Sequence, residues 1–223
     1  MLYNQYFKFA PNKQKSCPLK DYFSDKIIEM KILFASQNEH KIKEVSSLVP
    51  SHIKILGLSD FSFHEDIPET RETIAGNALQ KAEFIRDRFK LACFADDTGL
   101  FIEALNGEPG VYSARWSMKD DRYTNNIAKA LGELKGESNR KAYFKTVIAF
   151  IDDNNNEHLF EGRVDGELIE SERGSAGFGY DPIFIPEGKH ETFAEMSADE
   201  KNKISHRGRA MEKFISYLKT IKN

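Results

Sequence analysis

Two apolar-rich runs, Tyr143 to Ile151 and His158 to Val164, are joined by the polar tract Asp152-Asp153-Asn154-Asn155-Asn156-Glu157. Runs of this kind bounded by Asp and Asn read as strands, and so short a connector makes them an antiparallel hairpin. No other feature limits the fold as much. The segments upstream carry a helical period between short apolar strands, and a pure doubly wound parallel sheet has no place for such a hairpin. The expected class is mixed α/β or α+β.

Upstream, Lys31-Ile32-Leu33-Phe34-Ala35 predicts a strand, and Ser36-Gln37-Asn38-Glu39-His40-Lys41 leads into a helix whose buried stripe is Ile42, Val45, Leu48 and Val49. A polar turn between strand and helix suits a phosphate, because backbone N–H groups and the helix dipole both favour an anion there. The glycine spacing of a Walker loop is missing, and a solvated lysine is the alternative for Lys41. Ile53 to Leu58 predicts the next strand, followed by an acidic loop with Glu65, Asp66, Glu69 and Glu72. Thr73 then starts a helix over 73–89, with Ile74, Ala78, Ala82, Ile85 and Phe89 inside and Lys81, Arg86 and Arg88 largely outside. Acids before a helix also complement its dipole, so spacing does not say which of them matters. Two more helices are expected, one over about 119–135 ended by Gly136, the other from Ser197 to Lys222 with Ile204, Met211, Phe214, Leu218 and Ile221 at helical spacing.

The 223 residues suffice for one substantial core, and the domain is expected to run from 30 to 223. Residues 1–29 lack a clean period and read as an extension outside it, with no apolar stretch of signal-peptide length. With 40% hydrophobic and 30% charged residues and no apolar run of bilayer length, no membrane partner is expected. A net charge of -3 argues against a surface that wraps nucleic acid, while leaving room for a basic pocket that takes a small anion. Cys17 and Cys93 form neither a disulfide framework nor a thiolate metal site, which points to a reducing cytoplasm.

Two stretches carry candidate chemistry. In Phe94-Ala95-Asp96-Asp97-Thr98-Gly99-Leu100 an apolar run meets two carboxylates, and Gly99 suggests that the strand ends there in an acidic turn, at the sheet end where α/β proteins keep ligands. A solvated turn is the alternative. In Gly174-Ser175-Ala176-Gly177-Phe178-Gly179-Tyr180-Asp181-Pro182, glycines let a flat ligand approach the backbone, Phe178 can stack on a nucleobase and Asp181 can accept from a base N–H. The alternative is a surface loop with Phe178 folded into the core.

These pieces, together with Glu69 to Ala78, Pro109-Gly110-Val111-Tyr112-Ser113-Ala114-Arg115 and Ser205-His206-Arg207, occur in one order from Met30 onward. The set resembles the inosine triphosphate pyrophosphatase family, the non-canonical purine nucleoside triphosphate hydrolases. The resemblance implies a long mixed central sheet flanked by helices, two lobes with a cleft between them, and a homodimer. It also implies Mg²⁺ and hydrolysis of ITP, dITP or XTP to the monophosphate and pyrophosphate, a cleansing of the nucleotide pool. By motif position Asp97 resembles the catalytic acid and a metal ligand, and Glu69 the second metal-binding acid. Thr98 takes the place of a substrate-touching hydroxyl. Ser36, Asn38 and Lys41 resemble the triphosphate turn, with Gln37 where the family usually has glycine. Phe178, Gly179, Tyr180 and Asp181 resemble the base loop, and Lys201, His206 and Arg207 the remaining nucleotide contacts. Arg207, a donor only, is expected to accept a 6-oxo purine, and Asp96 to brace the turn or to support the ligating groups from behind. Two alternatives stay open: a related pyrophosphatase for other modified nucleotides, and a nucleotide-binding regulator without turnover.

Overall fold

The computed structural model describes residues 30–63, 65–118 and 120–220. The expectations for residues 1–29, Cys17 included, and for Ile221 and Lys222 lie outside the described residues. Strand β1 (Met30–Phe34) enters helix α1 (Glu39–Leu48), capped by Asn38, and β2 (Ile53–Leu56) pairs parallel with β1. The predicted strand to Leu58 is shorter because Leu58–Phe61 winds into a 3₁₀ turn. Helix α2 (Ile74–Phe89) starts at Thr73, whose hydroxyl accepts the Gly76 N–H. Next come β3 (Cys93–Ile102), β4 (Pro109–Gly110), α3 (Asn126–Glu133) and the hairpin β5 (Lys141–Ile151) and β6 (Glu157–Leu168). After β7 (Phe184–Pro186) the chain closes with α4 (Ala198–Ile204) and α5 (His206–Thr220).

The sheet order is β2-β1-β3-β5-β6-β7, with β4 on β3. Parallel pairing holds β2, β1 and β3 together, and antiparallel pairing joins β3 to β5, β5 to β6 and β6 to β7. This is the mixed α/β sheet expected, and the hairpin is its longest pairing, running from Lys141 against Glu167 to Ile151 against Glu157. Alternation along the strands separates two cores. Leu33, Ala35, Cys93 and Ala95 pack with α2, whereas Ile32, Phe34 and Phe94 pack with α5. A third core, around Leu100, Phe144, Phe184 and Phe193, fills the far end of the sheet.

Several expectations are corrected. β3 does not end at Gly99: it stays paired with β5 from Cys93 against Ile151 to Ile102 against Ala142. Gly99 marks a close approach instead, since a Cβ there would lie 2.6 Å from the Gly110 carbonyl of β4. The helix expected over 119–135 is only α3, because 111–118 and 121–122 form turns and the helix starts at Asn126. The last helix breaks at Ser205, which is extended at φ -69° and ψ 158°. Lys81 and Arg86, expected outside, are inside: Lys81 is nine-tenths buried against carboxylates, and Arg86 bonds Asn155 and the Asp153 carbonyl at the hairpin turn.

Candidate active site

The turn after β1 is built by its own side chains. Ser36 Oγ accepts the Asn38 N–H at 3.2 Å, and Asn38 Oδ1 accepts the Lys41 N–H at 3.2 Å, so the first turn of α1 is capped. Gln37, where the resemblance leads one to expect glycine, donates through Nε2 to the Glu65 carbonyl at 3.1 Å, tying this turn to the acidic loop. The Lys41 side chain reaches Asp96 Oδ1 at 3.0 Å.

Because β3 is continuous, Asp96 and Thr98 share one face and Asp97 takes the other. On the first face Arg207 donates from Nε and Nη2 to Asp96 Oδ2 at 3.2 and 3.1 Å, from Nη2 to Thr98 Oγ1 at 3.2 Å, and from Nη1 to Glu44. Glu44 also accepts from Lys201 at 2.8 Å, and Lys201 in turn pairs with Asp181 Oδ2 at 2.8 Å. Burial would raise the Asp96 carboxyl, but the charges of Lys41, Arg207 and Lys81 outweigh it and hold Asp96 well below the usual carboxylate range. Lys41 is lowered, by its own burial first and by Lys81 and Arg207 as well, against the pull of Asp96. With five N–H groups, Arg207 keeps one Nη1 hydrogen for a further acceptor, so most of its capacity goes to holding the site together.

His206 begins α5 and stacks on Phe144 with centroids 4.6 Å apart. Burial, then Arg207 and Lys201, push its pKa well below the ordinary value, so the ring is neutral, and its buried Nδ1 has no hydrogen-bond partner.

The opposite face of β3 is sparser. Lys81 Nζ sits 3.1 Å from Asp97 Oδ1 and 2.6 Å from Glu69 Oε1, and Arg115 holds Glu69 Oε2 at 2.9 Å. Asp97 Oδ2 is buried without a partner. Burial pushes the Asp97 carboxyl up, and the nearby lysines do not fully offset it. Glu69 moves the other way: burial is outweighed by Lys81 and Arg115, which lower it.

The glycine loop places Phe178 outside the core. Its ring stacks on His40 at 5.1 Å, with Lys201 Nζ 5.2 Å and the Arg207 guanidinium 5.6 Å from its centroid. Gly177 has φ 72°, and a Cβ there would collide with the Asp181 carboxylate. That glycine is needed to let the loop close on its own aspartate. Asp181 Oδ2 takes the Phe178 N–H at 2.7 Å as well as Lys201, so one of its two carboxylate oxygens is committed to the loop. The Tyr180 hydroxyl donates to the Ser113 carbonyl at 3.0 Å and bolts the loop to the segment after β4.

All of these surfaces face one cavity of about 490 Å³. Ser36, Asn38 and Lys41 line it from the turn; Glu69, Asp97 and Thr98 from the acidic loop and β3; Phe178 to Asp181, Lys201, His206 and Arg207 from the C-terminal half. Sequence reasoning missed Lys81 and Glu44. Lys81 falls on the stripe of Ile74, Ala78, Ala82 and Ile85, so a charge on an apolar face was the available signal. Glu44 lies one turn beyond Lys41 on α1, a weaker one.

Among the described residues, no three His, Cys, Asp or Glu side chains group to cage a metal. Two carboxylates, one with an unpartnered buried oxygen, suit a hard cation that takes its other ligands from water and phosphate.

Comparison with known proteins adds the ancestry. A model described as the Ham1 family matches residues 32–217. A "dITP/XTP pyrophosphatase" of Flavobacterium psychrophilum is 50% identical over 190 residues, covering 85% of this chain and 100% of its own. One of the same name from Thermococcus kodakarensis is 44% identical over 191 residues, 85% of this chain and 98% of its own. The structure of a Ham1 protein from Coxiella burnetii superposes with a TM-score of 0.77 at 39% identity, covering 86% of this chain and 99% of that one.

Proposed function

The chain belongs to the Ham1 family, and on that premise we propose that it hydrolyses the non-canonical purine nucleoside triphosphates ITP, dITP and XTP to the monophosphate and pyrophosphate. One observation carries the reading: Asp97, whose buried Oδ2 has no partner, lines the same cavity as the cationic Lys41 turn and the Phe178 ring. A triphosphate needs cations at one end, a purine needs an aromatic surface at the other, and the scissile bond needs a base between them.

In this reading Asp97, made more basic by burial, takes the proton of a water that attacks the α-phosphorus, a role worth on the order of 10² to 10⁴-fold. Lys41 and Lys81 offset the charge that moves onto the leaving pyrophosphate. Mg²⁺, held by Glu69 and Asp97, would supply further charge neutralisation at the phosphate oxygens. Phe178 offers a stacking face, and the remaining Nη1 hydrogen of Arg207 favours a 6-oxo acceptor. Adenine presents a 6-amino donor there, and leaving it unpaired costs about 1 to 3 kcal/mol. Thr98 and Thr146, hydroxyl to hydroxyl at 2.7 Å, keep the strand beneath Arg207 in place.

Action as a homodimer in the cytoplasm completes the proposal. Among the described residues no helix is long and apolar enough to cross a membrane. The test is pyrophosphate release from inosine, xanthosine, guanosine, adenosine and uridine triphosphates, with and without Mg²⁺. Inosine and xanthosine triphosphates should be preferred and Mg²⁺ required; equal rates across the panel, or none, would overturn the reading.

A further inference from the structure

Lys81 is where a metal ligand set would ordinarily find its cation. Its ammonium bridges Glu69 and Asp97 at 2.6 and 3.1 Å, and Arg115 covers the other Glu69 oxygen at 2.9 Å. Of the four carboxylate oxygens only Asp97 Oδ2 is unclaimed, and it is buried. Lys81 itself is 7% exposed and anchored on α2 by a stripe of core residues, so its charge cannot retreat to solvent. A divalent cation entering alone therefore meets carboxylates that are already neutralised, close to a second ammonium, Lys41, which also acts on both acids.

We propose that Lys81 is a built-in counter-ion that stands in for the metal in the nucleotide-free protein, so that a divalent cation binds strongly only together with a nucleoside triphosphate. The inference rests on the pyrophosphatase reading for its ligand. A triphosphate brings several oxygen acceptors into the cavity, giving Lys81 and Lys41 partners other than the carboxylates. Glu69 and Asp97 are released to a metal as the lysines turn to phosphate, and the two ligands then bind with positive coupling that is equal in both directions. Between visits by substrate, Lys81 also spares the fold a buried Asp97 and a part-buried Glu69 facing one cavity without a cation.

Binding of Mn²⁺ to the full chain, followed by calorimetry without nucleotide and with the non-hydrolysable α,β-imido analogue of ITP, tests this. Wild type should bind Mn²⁺ at least tenfold more tightly with the analogue than without; equal affinities would overturn the inference. Lys81→Met should bind Mn²⁺ alone at least tenfold more tightly than wild type, and its melting temperature should fall in metal-free buffer and recover with Mn²⁺. Lys81→Arg, which keeps the charge, should stay near wild type in Mn²⁺ affinity. A folded Lys81→Met with unchanged or weaker Mn²⁺ affinity would overturn the proposal. If the wild type releases no pyrophosphate from ITP while Lys81→Met still gains metal affinity, the functional reading fails and the counter-ion role stands.

Discussion

Asp96 and Asp97 are neighbours on one strand, equal in chemistry and opposite in circumstance. Asp96 faces α1 and α5, where Lys41 and Arg207 occupy both its oxygens and hold it ionised. Asp97 faces α2, where one lysine reaches one oxygen and the other oxygen is left buried and bare. The strand's alternation, not its composition, separates the two. A saturated carboxylate is fit to position cations that grip a ligand; an unsaturated one, raised by burial, is fit to move a proton. Under the proposed function, the Asp96 face binds and the Asp97 face reacts.

The largest expected effect that would break this division is on stability. Asp96→Asn leaves Lys41 and Arg207 without their shared counter-charge, and loss of one partner from a buried ionic network costs about 3 to 5 kcal/mol. Denaturant titration should register it; a loss below about 1 kcal/mol would mean that Asp96 is not the brace. Next, Phe178→Ala removes the stacking face on the Asp96 side, and base stacking is worth about 1 to 3 kcal/mol. The KM for ITP should rise by about 5- to 150-fold with kcat nearly kept, and an unchanged KM would take Phe178 out of base binding.

Asp96 also sets an acid limit. Its folded pKa is depressed, so its contribution is present above the unfolded value of about 3.9 and is lost as pH falls below that toward the folded value. Unfolding free energy should fall by about 1.4 kcal/mol per pH unit per proton in that window, and Asp96→Asn should remove one proton's worth of slope. Smallest is Thr98→Val, which deletes an acceptor for Arg207 on the binding face and should cost about 1 kcal/mol of stability.

Much of the fold was legible because its signals are local. The Asp152 to Glu157 connector, the Asn38 turn and the Thr73 cap each declare an element within a few residues. Gly99 misled because a glycine inside a strand and a glycine after one look alike without β4 beside it. The single helix expected to Lys222 failed for a similar reason: apolar spacing continues across Ser205 while the backbone does not. At the site, the motifs pointed to residues that do line one cavity, but not to what each one touches. Lys81 meets Glu69 and Asp97 from twelve and sixteen residues away, and Arg207 meets Asp96 from 111 away. Such pairings belong to the sheet and its helices, and no local pattern encodes them.

The most direct measurement is kcat for pyrophosphate release from ITP by Asp97→Asn at saturating nucleotide and Mg²⁺, taken well below its melting temperature. A fall of about 10² to 10⁴-fold with the fold and KM retained is predicted for a carboxylate that accepts the water's proton. A rate within about threefold of wild type, a barrier change of less than about 1 kcal/mol, would contradict the division of labour between the two faces of β3.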